Sequence, residues 1–277
     1  MRYGAVLPGG TAMEQLEQAL LAEQAGWDGL FVWEAAYGVD AWSLLAAIAA
    51  RTSRIRLGTM LTPLPWRRPW KVASQVATLD QLSAGRAILA VGVGAIATDL
   101  PDTGEVTELR PRAERMDEGI DLIRALWRGQ TEYHGRHYRY QTSRTDLNAA
   151  VRPAQPRIPI WVVGAWPRPK SMRRVLRCDG IIPQYEVDGR AESPDDARAV
   201  RAWLAGHGAG PGFDMVAEGE TSADDPAAAA AAVGPWAEAG CTWWLETRWE
   251  MPHNSAERMA QIRERLTAGP PSAAPAA

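Results

Sequence analysis

The stretch from Arg54 to Gly94, RIRLGTMLTPLPWRRPWKVASQVATLDQLSAGRAILAVGVG, restricts the fold more than any other part of the chain. It reads as a strand over Arg56 to Leu61, a helix opening at Pro69, a second strand over Arg86 to Val91, and a glycine-spaced turn. The helix buries Ala73, Val76 and Leu79, and proline suits its first turn. Two parallel strands joined by a helix cross over right-handed, and such units repeat into open sheets or closed barrels. Both strands run into unusual loops, LTPLPWRRP and VGVGAIATD. Ligands of parallel sheets bind at that end of the strands.

The same alternation runs through the chain. Further strands are expected at Tyr3–Leu7, Gly29–Trp33, Ile160–Val163, Gly180–Ile182, Phe213–Ala217 and Thr242–Leu245. Thr11 and Glu14 have the spacing of a capping box, and Asp40, Ser193-Pro194 and Asn254 mark other helix starts. Ala113, Met116, Ile120, Ile123 and Leu126 recur at three and four, an amphipathic helix that Gly129 stops. The sum is eight strand–helix units, with one excursion between 95 and 159 that includes an extended piece at 131–140. The predicted fold class is α/β, a single-domain (β/α)8 TIM barrel over 1–267 with an excursion after strand 4. A loose tail is expected over 268–277. The rival is an open doubly wound sheet, but the G-x-G-x-x-G fingerprint after strand 1 is missing.

Composition narrows the function classes. The 277 residues suit one barrel, and a net charge of −3 gives no electrostatic case for nucleic acid. Two cysteines make neither a disulfide framework nor a metal cluster, so a reducing, cytoplasmic setting is expected. The opening MRYGAVLPGG lacks a signal-peptide layout, and the apolar run Ala41–Ala50 is too short to span a bilayer. His134 and His137 have no third partner, so no metal is expected.

The strand ends carry the candidate site. Val91-Gly92-Val93-Gly94 would bring backbone amides close to an anion, or the glycines merely break the strand. Gly164, Ala165 and Trp166 precede a helix, where unpaired amides and the dipole favour anions, and Arg168 and Ser171 add donors. Gly58 marks either a close approach to a ligand or plain barrel packing. Trp33, Trp66, Trp166 and Trp249 fall at strand ends, where they pack the core or wall a pocket for a flat ligand. Arg67, Gln184, Glu246 and Arg248 complete the expected pocket. No conventional nucleophile motif occurs.

These residues resemble the bacterial luciferase-like superfamily of flavin oxidoreductases. The matching pieces are AEQAGWDGLFVWE (22–34), residues 51–94, RAERMDEGIDLIRALWRG (112–129), PIWVVGAWPR (159–168) and CDGIIP (178–183). The last third matches only weakly. The resemblance implies FMN, or its deazaflavin relative F420, at the C-terminal end of the strands. It sets the ring near Thr59, Met60 and Leu61, where members carry a bulge or a non-proline cis peptide. It sets the phosphate end at Gly92, Val93, Gly94 and at Gly164, Ala165, Trp166, with Asp99-Leu100 and Gly104 keeping the shape of a further family pattern. It also implies a homodimer through helices beside strands 2 and 3, with Trp42 and Trp70 as candidates for that surface, although core packing explains them as well.

One departure matters. F420 members that transfer hydride often end strand 2 with an acid and a histidine, whereas this chain has Glu34-Ala35. Ala35 cannot move a proton. Glu34 serves as a catalytic group if burial raises its pKa; otherwise it pairs with Arg67, Arg68 or Arg248. The expected activity is therefore a luciferase-like monooxygenase using reduced FMN, supplied by a separate reductase, and O2 on a small apolar or aromatic substrate. The alternatives are F420-dependent hydride transfer and a flavin-binding protein with little catalysis.

Overall fold

The computed structural model describes residues 1–95, 104–251 and 254–271. Eight parallel strands close a ring. In chain order they are β1 (Arg2–Val6), β2 (Gly29–Val32), β3 (Arg56–Thr59), β5 (Ala87–Gly92), β8 (Ile160–Trp166), β9 (Gly180–Tyr185), β10 (Asp214–Gly219) and β11 (Trp243–Glu246). Pairing of Leu57 with Ala87 and of Gly58 with Ile88 joins β3 to β5, and β1 pairs with both β2 and β11. A two-residue strand β4 (Thr62–Pro63) lies outside the ring and extends the β5 edge. The predicted barrel is thus the observed one.

The outer helices begin where the sequence places their caps. Thr11 and Glu14 form the expected capping box ahead of α1 (Ala12–Gln24), and Asp40 caps α2 (Ala41–Ala49). Pro69 opens α3 (Pro69–Leu82). The excursion holds α4 (Leu109–Trp127), the hairpin β6 (Glu132–His134) and β7 (Arg139–Gln141), and a short unforeseen helix α5 (Thr145–Ala150). Then follow α6 (Pro169–Val175), α7 (Pro194–Gly206) behind its Ser193 cap, α8 (Pro226–Glu238) and α9 (Ala256–Thr267).

Some expectations need correction. The cap of α9 is Ser255, not Asn254. Asn254 sits at φ +61° and its Oδ1 accepts from the Gly10 amide at 2.7 Å, so its side chain ties the first loop to the last helix. Gly269 and Pro271 are buried, so they belong to the packed body and not to a loose tail, while 272–277, Asp99-Leu100 and His253 lie outside the described residues. Trp42 is buried in the core. Trp70 is half-buried, its ring meeting those of Tyr138 and Tyr140.

The phrase ATLDQLSAGR has an architectural cause. Buried Arg86 donates to the carbonyls of Ser83, Ile55, Ala49 and Thr52, stitching the α2–β3 and α3–β5 turns together. Asp80 accepts from the Gln155 amide at 2.8 Å and from its side chain at 2.7 Å. These buried groups find partners because orphaned polar atoms inside a fold are costly.

Inside the ring, a plug of Phe31, Trp161 and Trp243 fills the floor, with Trp161 5.2 Å from Trp243 and 5.4 Å from Phe31 between centroids. Glycines make its space. A Cβ on Gly180 would lie 2.4 Å from Trp161, and one on Gly29 2.7 Å from Trp243. A Cβ on Gly58 would meet the Ile88 carbonyl at 2.6 Å, so Gly58 serves barrel packing. Both indoles donate to Asp214, at 3.1 and 3.2 Å.

Candidate active site

Successive side chains on a strand point to opposite faces. In the inner plug sit Phe31, Met60, Ile88, Ala90, Trp161, Ile182, Val216 and Trp243. Positions two further along each strand share that inward face, and they build the mouth. A cleft of about 1040 Å³ opens there. One side carries Met60, Leu61, Trp66 and the turn Gly92–Gly94; the other carries Gln184, Glu218 and Trp249. Trp33, Glu34 and Arg67 complete it. The Met60–Leu61 peptide is cis.

Six of the sequence-predicted residues do not line this cleft: Thr59, Gly164, Ala165, Trp166, Glu246 and Arg248. Strand parity explains three of them. Thr59, Gly164 and Glu246 each sit one residue out of phase with an inward neighbour, Met60, Val163 or Leu245. A Cβ on Gly164 would strike Ile181 at 2.6 Å and Val175 at 2.8 Å, so this glycine lets α6 lie close to the sheet. The Ala165 amide is already taken by Ser171 Oγ at 2.9 Å, Trp166 packs on Trp203, and Arg168 pairs with Glu186. Fully buried Glu246 accepts from the Thr221 amide, the Thr221 hydroxyl, Trp244 and Arg248. That cluster braces the β10–β11 loops.

The turn after β5 is held from both sides. Arg112 donates to the carbonyls of Val93 and Gly94 at 3.0 and 2.8 Å. Gly94 has φ +83°, and a Cβ there would lie 2.3 Å from the Trp66 ring. Glycine is thus needed both for the backbone and for the indole's seat. The Gly94 and Ala95 amides have no hydrogen-bond partner among the described residues.

Two carboxylates face the cleft from strand ends, in different states. Glu34 is 9% exposed; Thr62 Oγ1 donates to its Oε2 at 2.6 Å and Arg67 Nη1 to its Oε1. Arg67 also donates to Gln75 at 2.8 Å, and Thr62 exchanges a hydrogen bond with Thr59 at 2.8 Å. Burial pushes the Glu34 carboxyl up, against the pull of Arg67 and Thr62. Glu34 is thus desolvated and paired with Arg67, one of the three arginines expected for it.

Glu218 is the second of these acids, near the end of β10. Asp214, Val216 and Glu218 form one inward column on β10, from floor to mouth. The Trp249 indole donates to Glu218 Oε2 at 2.8 Å. Desolvation pushes this carboxyl up to about 7 against the pull of the Trp249 indole, with a smaller further push from Glu192. Counting inward positions along β10 would have found it.

Among the described residues, no group of histidines, cysteines and acids could hold a metal ion, and His137 instead meets Glu114 at 3.1 Å. Both cysteines are buried and free, their thiols pushed up to about 12 by desolvation. No described helix is long and apolar enough to cross a membrane.

The C-terminal mouth of this parallel barrel thus joins a glycine turn braced by Arg112 to a large cleft. The sequence matches the luciferase-like monooxygenase family over residues 2–277, and the chain belongs to that family. It is 32% identical over 79% of its length to a putative coenzyme F420-dependent oxidoreductase of Mycobacterium tuberculosis, covering 65% of that protein. It is 34% identical over 55% of its length to an F420-dependent glucose-6-phosphate dehydrogenase of Amycolatopsis mediterranei, covering 47% of that enzyme. The chain spans about half the length of the glucose-6-phosphate dehydrogenases it matches. An F420-dependent secondary alcohol dehydrogenase structure shares the fold with TM-score 0.73 at 18% identity, covering 96% of this chain and 98% of that one. An FMN-bound diketocamphane monooxygenase of Pseudomonas putida does so at 0.61 and 21% identity, covering 79% of this chain and 67% of that one.

Proposed function

We propose that this enzyme uses F420 and transfers hydride between that deazaflavin and a small alcohol or carbonyl compound. The observation that carries the reading is the match over most of the chain to an F420-dependent oxidoreductase. It replaces the expectation of FMN with O2 as the first choice. The cleft suits a flat tricyclic group: Met60 and Leu61 would bear its ring, and the unpaired amides of Gly94 and Ala95 would meet its polar end. The bound cofactor supplies the two-electron chemistry; the protein supplies orientation and a site shielded from water.

The lining also speaks to the substrate. Among the described residues it carries six glutamates, at 34, 105, 192, 218, 220 and 250, against one arginine, Arg67, which is committed to Glu34. Trp33, Trp66, Trp236 and Trp249 add apolar wall. An uncharged, largely apolar substrate suits this surface better than a sugar phosphate, because like charges in a low-dielectric cleft repel strongly. Absorbance titration with F420 and with FMN, followed by F420 reduction assays on glucose-6-phosphate and on unphosphorylated alcohols, tests the reading. Binding of F420 and turnover of an unphosphorylated alcohol are expected. Binding of FMN alone overturns the cofactor choice, and preference for glucose-6-phosphate overturns the substrate class.

A further inference from the structure

If hydride transfer is the reaction, a proton must also move. When an alcohol is oxidised, its carbinol hydrogen leaves with the bonding pair, its hydroxyl proton must go elsewhere, and a C=O bond forms. At the end of β2 the position after the acid is Ala35, which has no proton to trade. Glu34 beside it is tied to Arg67 and Thr62, so a proton taken there would come at the expense of that pair. Histidine is absent from the described lining, and Tyr185, which does line the cleft, is held far above its ordinary value by burial.

We propose that Glu218 is the catalytic acid–base residue, accepting the hydroxyl proton of the substrate alcohol on oxidation and returning it to the carbonyl oxygen on reduction. The proposal rests on the hydride-transfer reading above, with oxidised F420 as the acceptor of the electron pair. Its ground is placement. Glu218 points inward from β10 in line with Val216 and Asp214, on the opposite side of the cleft from the cis peptide and the glycine turn. Oε2 accepts from the Trp249 indole, and Oε1 has no hydrogen-bond partner among the described residues.

The neighbouring charges keep both protonation states accessible. Glu192, at the rim on the loop after β9, adds like charge. Glu220, next on the β10 side, lies 3.5 Å from Arg248 Nε, and that guanidinium is otherwise spent on Glu246 and backbone carbonyls. Glu250 is exposed beyond Trp249, and Arg67 across the cleft is paired with Glu34. Among the described residues no cation is therefore in contact with Glu218, and its carboxyl is pushed up to about 7, where an acid–base group is most effective at neutral pH.

The test begins without cofactor. Protein labelled at the glutamate carboxyl carbons is titrated by carbon-13 NMR, as wild type and as Glu218→Gln. One carboxyl titrating near neutrality in the wild type and missing from the variant is expected; no such signal overturns the proposal. Trp249→Phe, which removes one partly exposed indole, should shift that titration upward, and it serves if the glutamine variant folds poorly. F420 reduction is then followed with 2-propanol, cyclohexanol and glucose-6-phosphate. Glu218→Gln should lower kcat by about 100-fold or more, remove the near-neutral ionisation from its pH profile, and leave F420 affinity within about twofold. A variant with wild-type kcat and pH profile overturns the role of Glu218 alone. Wild-type protein that binds no F420, or reduces it with none of these alcohols, sinks the hydride-transfer reading and this role with it.

Discussion

The floor of the barrel and its mouth are built from the same strands with opposite settlements. At the floor, Asp214 satisfies two indoles and the Thr242 hydroxyl, and glycines give the aromatic rings their seats. At the mouth, Glu218 receives one indole N–H and is otherwise left to a desolvating wall. Polar groups at the floor are spent on stability. Those at the mouth are held away from their preferred state, which is how a fold keeps reactive groups available.

The largest effect should come from the floor. Trp161→Ala removes a fully buried indole and should cost about 3–5 kcal/mol in chemical denaturation. Asp214→Ala leaves two buried indole donors without their acceptor and should cost about 1–3 kcal/mol by the same measurement. Gly164→Ala asks to which region that turn belongs. Its methyl would press on Ile181 and Val175, so a loss of about 1–3 kcal/mol is expected with F420 affinity unchanged. A weakened cofactor with intact stability would return the turn to the mouth.

The smallest effect has the opposite sign. A carboxyl held at about 7, above its ordinary 4.5, binds its proton more tightly in the folded chain than in the unfolded one. Its contribution favours the fold below about 4.5 and fades as pH rises through about 7. Because Glu218 is partly open to the cleft, screening trims the full shift. Glu218→Gln should therefore gain on the order of 1–2 kcal/mol at alkaline pH relative to wild type, and nothing at acid pH. Thermal denaturation across pH reads this directly, and a variant less stable at alkaline pH would contradict the account.

The barrel was legible because its signals are local and periodic: caps at Thr11 and Asp40, proline at position 69, and the stripe from Ala113 to Leu126. The site was legible only to the level of strand ends. Choosing loops by their glycines captured Gly92 and Gly94 but also Gly164, whose bareness serves the helix behind it. Choosing polar residues by position captured Glu34 but also Glu246 and Arg248, which face outward and bind each other. Which face a residue takes depends on register, and register follows from pairings such as Glu218 with Leu245 that no local motif spells out.

The column Asp214, Val216, Glu218 places anchor, filler and reactive acid at alternate positions of one six-residue strand. A single residue inserted between Asp214 and Val216 would turn the acid outward while the anchor stayed put. Deleting Met215 would do the same. Folding and chemistry are thus read in one frame along β10, and this strand should tolerate substitutions far better than changes in length.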